Sequence, residues 1–410
     1  MKTTIKLFGL LLLSASISCS TQKTSDIDVI AENTTIAEGQ YELQSNIIEK
    51  TTKVLIPRTL DKDGKIVYVP IDDWTSGFFA GSIWFTYKLS NNNKWLPLAE
   101  KYTERLDSVK YLKCHHDVGF MIGSSYLNGY RQTGNEKYKE VIVETAKSLS
   151  TRFRPNAGIL QSWNVDKDWQ SKRGWKCPVI IDNMMNLEIL FEATKFSGDS
   201  SFYKIAVSHA NKTLANHYRD NNSCYHVVDY DPETGEVRSK ETAQGYDNES
   251  SWARGQAWGL YGYTVCYRYT KNPIYLEQAK KIYDYIFTEK TLPKDLIPYW
   301  DYNAPNIPNE PRDVSAATVS ASALYEMSMY LPEKKYKLTA DKIIATLSTP
   351  AYRAEIGTNG NFILKHSVGS IPHNNEIDVP LNYADYYFLE ALVRKRDGLN
   401  MNYLTQITKK

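Results

Sequence analysis

Two textures of hydrophobic and polar positions alternate along the chain. The first is amphipathic and rich in Lys and Glu, with apolar residues at helical spacing. It covers 40–54, 95–112, 136–149, 201–215, 275–286 and 335–347. Such a stripe predicts helices with one wet face. The second is apolar nearly all round and rich in Gly, Ala, Ser and aromatics. It covers 74–89, 117–130, 182–193, 252–267, 314–331 and 383–393. A helix hydrophobic on every side is a buried one, and its small residues let neighbours come close. Six outer and six inner segments in strict alternation predict an all-α fold, an (α/α)6 barrel of six helical hairpins with the inner helices around the axis. A helical solenoid of six repeats is the competing arrangement. The closed ring is preferred because no common solenoid motif is visible and the first interval between inner segments is short.

The ends of the pattern carry an address. Lys2 and Lys6 precede the apolar run 7–13, and small residues lead to Cys19. This reads as an export signal. Ser16-Ile17-Ser18-Cys19 followed by Ser20 resembles a bacterial lipoprotein processing site, with Ser16 where Leu is usual. The expected organisation is a lipoprotein-type signal peptide at 1–18, a polar tether at 19–38 and one catalytic domain at 39–410. The chain is then exported to the periplasm or outer membrane and touches a membrane only through lipid on Cys19.

Composition narrows the function. At 410 residues and 42% hydrophobic, the chain can bury a large core. The run 7–13 is too short to span a bilayer, which excludes a multi-pass membrane protein. The 49 basic and 47 acidic residues are far from a nucleic-acid binder's balance. Cleavage before Cys19 removes Lys2 and Lys6 and leaves the chain formally neutral. The unusual entries are 30 Tyr and 9 Trp. Their flat apolar faces and polar edges suit a hydroxyl-rich ligand such as a sugar, though many simply pack helices. Cys114, Cys177, Cys224 and Cys266 lack the spacing of a zinc knuckle. Disulfides and buried free thiols both remain open for them.

Several inner helices open on a polar and aromatic cluster: Asp72 to Gly77, His115-His116-Asp117, Ile181-Asp182-Asn183, and Trp252 to Gln256. Parallel inner helices would bring these clusters to one end of the barrel, where helix N-termini favour an anion. Asp117 and Asp182 lie at the edges of strongly apolar segments. Either could be a helix cap. As a pair facing one cavity, burial and mutual repulsion would raise one carboxyl and leave the other ionised. His226 falls in a segment read as strand or loop, without a second His or Cys at ligand spacing. Arg254 and Trp258, four residues apart, share a helix face. Arg offers a donor fork for a carboxylate and Trp a platform for a sugar.

The stretches 74–81, 116–120, 181–186, 252–258 and 382–392 resemble the unsaturated glucuronyl hydrolases, glycoside hydrolase family 88. The resemblance spans roughly 40–395. It implies the (α/α)6 barrel and a hydrolysis that begins at a C4=C5 double bond left by a polysaccharide lyase. A proton goes to C4, water goes to C5, and the hemiketal collapses to release the oligosaccharide. The resemblance gives Asp182 the acid/base role and makes Asp117 the second carboxylate. Trp74, His226, Gln244, Arg254 and Trp258 match its substrate-site positions. Ser367 and Ser370 match two serines of a sulfate clasp, but Pro372 stands where that clasp has Lys, so sulfate recognition of that type is not expected. No cofactor and no metal is signalled. The expected substrate is an unsaturated uronyl oligosaccharide of glycosaminoglycan or ulvan type. The competing readings are an unsaturated rhamnogalacturonyl hydrolase of family 105 and a non-catalytic glycan-binding lipoprotein.

Overall fold

A computed structural model describes the backbone of residues 16–398 except 51, 52 and 54, and side chains from residue 28 onward. The helices are α1 (Ser16–Ile48), α2 (Ser76–Ser90), α3 (Leu96–Glu104), α4 (Val118–Ile122), α5 (Asn128–Thr133), α6 (Glu136–Ser150), α7 (Leu187–Ser197), α8 (Ser200–Asn216), α9 (Ala253–Thr270), α10 (Pro273–Thr288), α11 (Val314–Tyr330), α12 (Lys335–Leu347) and α13 (Asn382–Asp397). A π turn, Gly123–Leu127, joins α4 to α5 in one inner column. The ring runs α2, α4–α5, α7, α9, α11, α13 and closes where α13 packs against α2. That contact makes the fold a closed (α/α)6 barrel and removes the solenoid.

Local chemistry explains the hairpins. Asn135, Asp199 and Asn272 precede α6, α8 and α10, and each accepts from the backbone N–H two residues on. These caps satisfy donors that a helix start leaves orphaned. Close packing needs glycine at one crossing in particular. A Cβ on Gly77 of α2 would run into the Met121 carbonyl oxygen of α4.

At the C-terminal end of the inner helices an ionic network ties five columns together. Arg268 of α9 grips Glu326 of α11 at 2.7 and 2.5 Å and also reaches Glu188 of α7. Arg131 of α5 meets Glu188 at 2.6 Å, and Arg394 of α13 meets Glu390 and Glu326 at 3.3 Å. These charges are buried, so each needs its partners to remain ionised.

Among the described residues, nine short strands decorate the opposite end: β1 (Ile56–Leu60), β2 (Ile66–Val69), β3 (Phe153–Arg154), β4 (Ile159–Leu160), β5 (Cys177–Ile180), β6 (Val227–Tyr230), β7 (Val237–Glu241), β8 (Ser367–Ser370) and β9 (Asn375–Val379). They form antiparallel hairpins β1–β2, β3–β4 and β8–β9 and a three-stranded sheet β5–β6–β7. They lie in the loops that lead into inner helices, where the all-α expectation had placed no sheets.

Three expectations change. Residues 29–38, read as tether, continue helix α1, and Asn33, Thr34 and Ala37 are buried against the barrel. Val29, Ile30, Ile36 and Ala37 pack on the core, and among the intervening polar residues Asn33 donates to Ser348 Oγ at 2.8 Å. The inner segment expected from Asp182 opens as a 3₁₀ helix, Ile181–Asn186, before α7. The segment expected from Asp117 is broken by the π turn. The signal-peptide residues 1–15 and the Cys19 side chain lie outside the described residues. Cys114, Cys177, Cys224 and Cys266 are all free thiols.

Candidate active site

The N-terminal ends of the inner helices surround a cavity of about 240 Å³ lined by Asp117, Asp182, Trp74, Gln244, Arg254 and Ser370 among others. Six of the nine residues singled out for catalysis or substrate binding therefore converge, although they are spread over almost 300 residues of chain. Helix starts bring them there. Asp117 directly precedes α4, Asp182 lies in the 3₁₀ turn before α7, and Arg254 is the second residue of α9.

Asp182 is 9% exposed, and its Oδ2 has no hydrogen-bond partner among the described residues. Burial pushes its pKa up to about 7, Arg254 opposes the rise, and the charge of Asp117 adds to it. His226 immediately precedes β6 and faces the orphaned oxygen. Its Nδ1 accepts from the backbone N–H groups of Ala243 at 3.0 Å and Gln244 at 3.2 Å. A nitrogen accepting two N–H groups holds no proton, so the proton sits on Nε2. That Nε2 stands 3.6 Å from Asp182 Oδ2. Burial holds the His226 pKa well below its ordinary value, so the ring is neutral. It faces Asp182 with an N–H and no charge, which leaves the carboxyl free to keep its proton.

Asp117 has the opposite environment. Burial would raise its pKa, but His116, His115 and Arg152 outweigh it and hold the carboxyl below its ordinary value. His115 Nδ1 and His116 Nε2 lie 3.3 and 3.2 Å from its two oxygens. Asn186 Oδ1 accepts from Phe120 N–H at 2.8 Å, which turns its Nδ2 toward His116 Nδ1 at 3.2 Å. His116 is thereby fixed with its proton on Nε2, facing Asp117. Burial keeps that ring neutral, with its pKa down to about 4. One cavity thus holds a carboxyl poised to be protonated at neutral pH and a carboxylate that stays ionised. No group of three His, Cys, Asp or Glu side chains positioned to hold a metal occurs among the described residues.

Other expected site residues divide. Trp74 lines the cavity and packs against Tyr383 at 5.0 Å between ring centres. Gln244 lines it too, with Nε2 3.3 Å from the Gly369 carbonyl. Ser370 reaches the wall, its Oγ 2.7 Å from His373 Nδ1. Trp258, expected as a sugar platform, is fully buried beneath the floor against Phe120 and Tyr387. Its indole N–H acts on Asp182 and lowers that carboxyl's pKa, so Trp258 supports the acid from below. Trp252 is likewise covered, with His226 over it at 4.6 Å. Ser367 is fully buried and is not among the residues that line the cavity.

Arg254 keeps its place but changes its task. Its Nη1 donates to Asp313 at 3.0 Å and to the Val368 carbonyl, and its Nη2 donates to the Gly369 carbonyl at 2.7 Å. The fork expected for a substrate carboxylate already clamps the β8 backbone to the start of α11. What Arg254 contributes at the cavity is its positive charge, which opposes the rise in the Asp182 pKa.

Several lining residues carried no signal of their own in the sequence: Arg58, Trp163, Trp169 and Glu376. The signal for Arg58 was absent because its position depends on a bulge. Pro57 and Thr59 pair with Tyr68 and Val67, leaving Arg58 as the extra residue of β1. A bulge re-aims a side chain, and here Arg58 meets Asp73 at 2.8 Å and Glu376 at 2.6 Å. Trp163 and Trp169, 5.1 Å apart and edge to face, sit in a polar loop with no periodicity to flag them. Their density, with Trp175, was the available clue.

A closed (α/α)6 barrel with a protonatable and an ionised carboxyl in a sugar-sized, aromatic-lined cavity defines the acid/base glycosidase class. The sequence profile of Glycosyl Hydrolase Family 88 matches residues 47–396, and the chain belongs to that family. The family 105 alternative is set aside. An unsaturated glucuronyl hydrolase of Formosa agariphila is 46% identical over 343 residues, 83% of this chain and 84% of that protein. An unsaturated chondroitin disaccharide hydrolase of Streptococcus agalactiae is 31% identical over 376 residues, 84% of this chain and 92% of that protein. A crystal structure of an unsaturated glucuronyl hydrolase specific for heparin superposes with a TM-score of 0.86 at 42% identity, covering 91% of this chain and 98% of that one.

Proposed function

We propose that this glycosidase removes the 4,5-unsaturated uronic acid from the non-reducing end of lyase-generated oligosaccharides, glycosaminoglycan or ulvan products among them. The observation that carries the reading is the pairing in one cavity of Asp182, with its pKa near 7, and ionised Asp117. A vinyl-ether carbon is a poor base, so its protonation needs a positioned acid with a proton to give near neutral pH. Asp182 donates that proton to C4. Positive charge then develops on C5 and the ring oxygen, and ionised Asp117 stabilises it electrostatically. Asp182, now a carboxylate, takes a proton from the water that attacks C5, with the Nε2–H of His226 facing its Oδ2. The hemiketal opens to a C5 ketone, and the hemiacetal exposed at C1 releases the leaving sugar. One water is consumed, and Asp182 ends as it began.

The chain acts after a polysaccharide lyase, since only an eliminase leaves that double bond. Export and a lipid anchor on Cys19 belong to the same reading, supported by Lys2, Lys6, the apolar run and the small residues before Cys19. Cys19→Ala should move the protein from the membrane to the soluble fraction.

The reaction is tested by following ultraviolet absorbance of the conjugated double bond with chondroitin, heparin and ulvan lyase products. Absorbance should decay with at least one of them, and Asp182→Asn should hold it flat. A flat trace with wild-type protein on all three would overturn the assignment. Decay at the wild-type rate with Asp182→Asn would overturn the role of Asp182.

A further inference from the structure

Beside the cavity lies a second space, a groove of about 550 Å³ between the β1–β2 and β8–β9 hairpins. The two share a wall made of Arg58, Asn375 and Glu376, which line both. The hairpins are fixed against one another: Thr59 Oγ1 donates to the Pro380 carbonyl at 2.7 Å, and Arg58 Nε and Nη2 hold Glu376 at 2.6 and 2.9 Å. The groove is therefore built into the fold. Its floor carries Val67, Val69 and Ile377, and its rim carries Lys62 and Asn374. Those rim groups are available. Lys62 is 90% exposed and pairs with Asp63 at 3.4 Å, and Asn374 is exposed with no side-chain hydrogen bond among the described residues.

Resting on the proposed reaction, the direction of the substrate follows from burial. Asp182 and Asp117 sit deep, whereas Asn375 at the shared wall is exposed. The unsaturated uronate enters first, and the rest of the oligosaccharide must leave by the open side. A polymer that alternates uronate with another sugar gives even-numbered lyase products, whose third sugar is again a uronate. We propose that the groove is an accessory subsite for the sugars beyond the first leaving residue, with Lys62 and Asn374 as its anion and hydroxyl contacts. Apolar floor and polar rim fit the two faces of a sugar ring. The wall Arg58–Glu376 separates this subsite from the reacting centre, so the groove adds affinity for longer chains and leaves the chemistry untouched.

The test compares an unsaturated disaccharide and tetrasaccharide from one alternating uronate polymer. Calorimetric Kd values are taken on the inactive Asp182→Asn protein, with and without Lys62→Ala and Asn374→Ala, and kcat and KM on the active forms. The tetrasaccharide should bind about tenfold tighter than the disaccharide. The Lys62→Ala/Asn374→Ala change should erase most of that advantage while leaving disaccharide kcat and KM unchanged. Equal Kd values for the two lengths, or a loss of affinity that is the same for both, would overturn the subsite. Absence of wild-type turnover would instead overturn the proposed reaction, and a length-dependent Kd lost in the double variant would still support the groove.

Discussion

Replacing Asp182 by Asn should stop catalysis and, above neutral pH, make the protein more stable. Asp182 is buried, and its folded pKa lies near 7 against an ordinary 3.8. A carboxyl raised in the folded state resists ionisation there but not in the unfolded chain. The folded state then binds more protons than the unfolded one, so stability falls as pH rises. The penalty is absent below pH 3.8, grows between that value and 7, and is complete above. Each pH unit in that window is worth about 1.4 kcal/mol, so the full penalty is about 4 kcal/mol. Asn has nearly the same shape and no proton to lose. The change also deletes interactions with Arg254 and His226, but these offsets vary little with pH beside the ionisation itself. The assay is urea unfolding of both proteins from pH 4 to 8. The stability of Asp182→Asn minus that of wild type should rise by about 4 kcal/mol across the range and level off above pH 7. A difference that stays constant with pH would refute the raised pKa and, with it, the account of the general acid.

Asp117→Asn should lower kcat by at least about a hundredfold, because the charge it places near the ring oxygen is lost. It should also move the alkaline limb of the pH profile to lower pH, since the Asp117 charge helps hold the Asp182 pKa up; an unmoved limb would separate the two carboxyls. His226→Ala should cost about ten- to a hundredfold in kcat with a smaller change in KM, as expected for a group that faces the acid, and steady-state kinetics decide it. Gly77→Ala should destabilise the barrel by about 3 kcal/mol, because the added Cβ meets backbone of α4 that cannot yield. Thermal unfolding would show a lowered midpoint, and an unchanged one would contradict the packing.

Much of this was legible in the sequence because the barrel is made of local pattern. Period and polarity separated the wet face of Glu136–Ser150 from the buried Val314–Tyr330 without any long-range information. The pair Asp117 and Asp182 was visible for a similar reason, since an acid at the edge of an apolar run needs a purpose. What the sequence hid depends on contacts between distant segments. Arg254 reads as a free fork in the sequence, and only the approach of β8 shows both its terminal nitrogens engaged by carbonyls of Val368 and Gly369. The burial of Trp258 against Phe120 and Tyr387 likewise depends on neighbouring inner helices. Arg58 depends on a bulge and on Glu376 more than 300 residues away. The stretch 29–38 is docked both by Val29, Ile30, Ile36 and Ala37 against the core and by hydrogen bonds such as Asn33 to Ser348, and its sparse apolar positions among polar ones mask that stripe in the sequence.

The central claim is that Asp182 protonates C4 of the unsaturated uronate before the glycosidic bond is released. Turnover in D2O followed by proton NMR tests this directly. The account predicts that the vinyl proton signal splits away as one deuterium enters C4 in a single stereochemical position, in step with release of the leaving sugar. Release of that sugar while the C4=C5 bond remains intact, or deuterium scattered over both C4 positions, would contradict it.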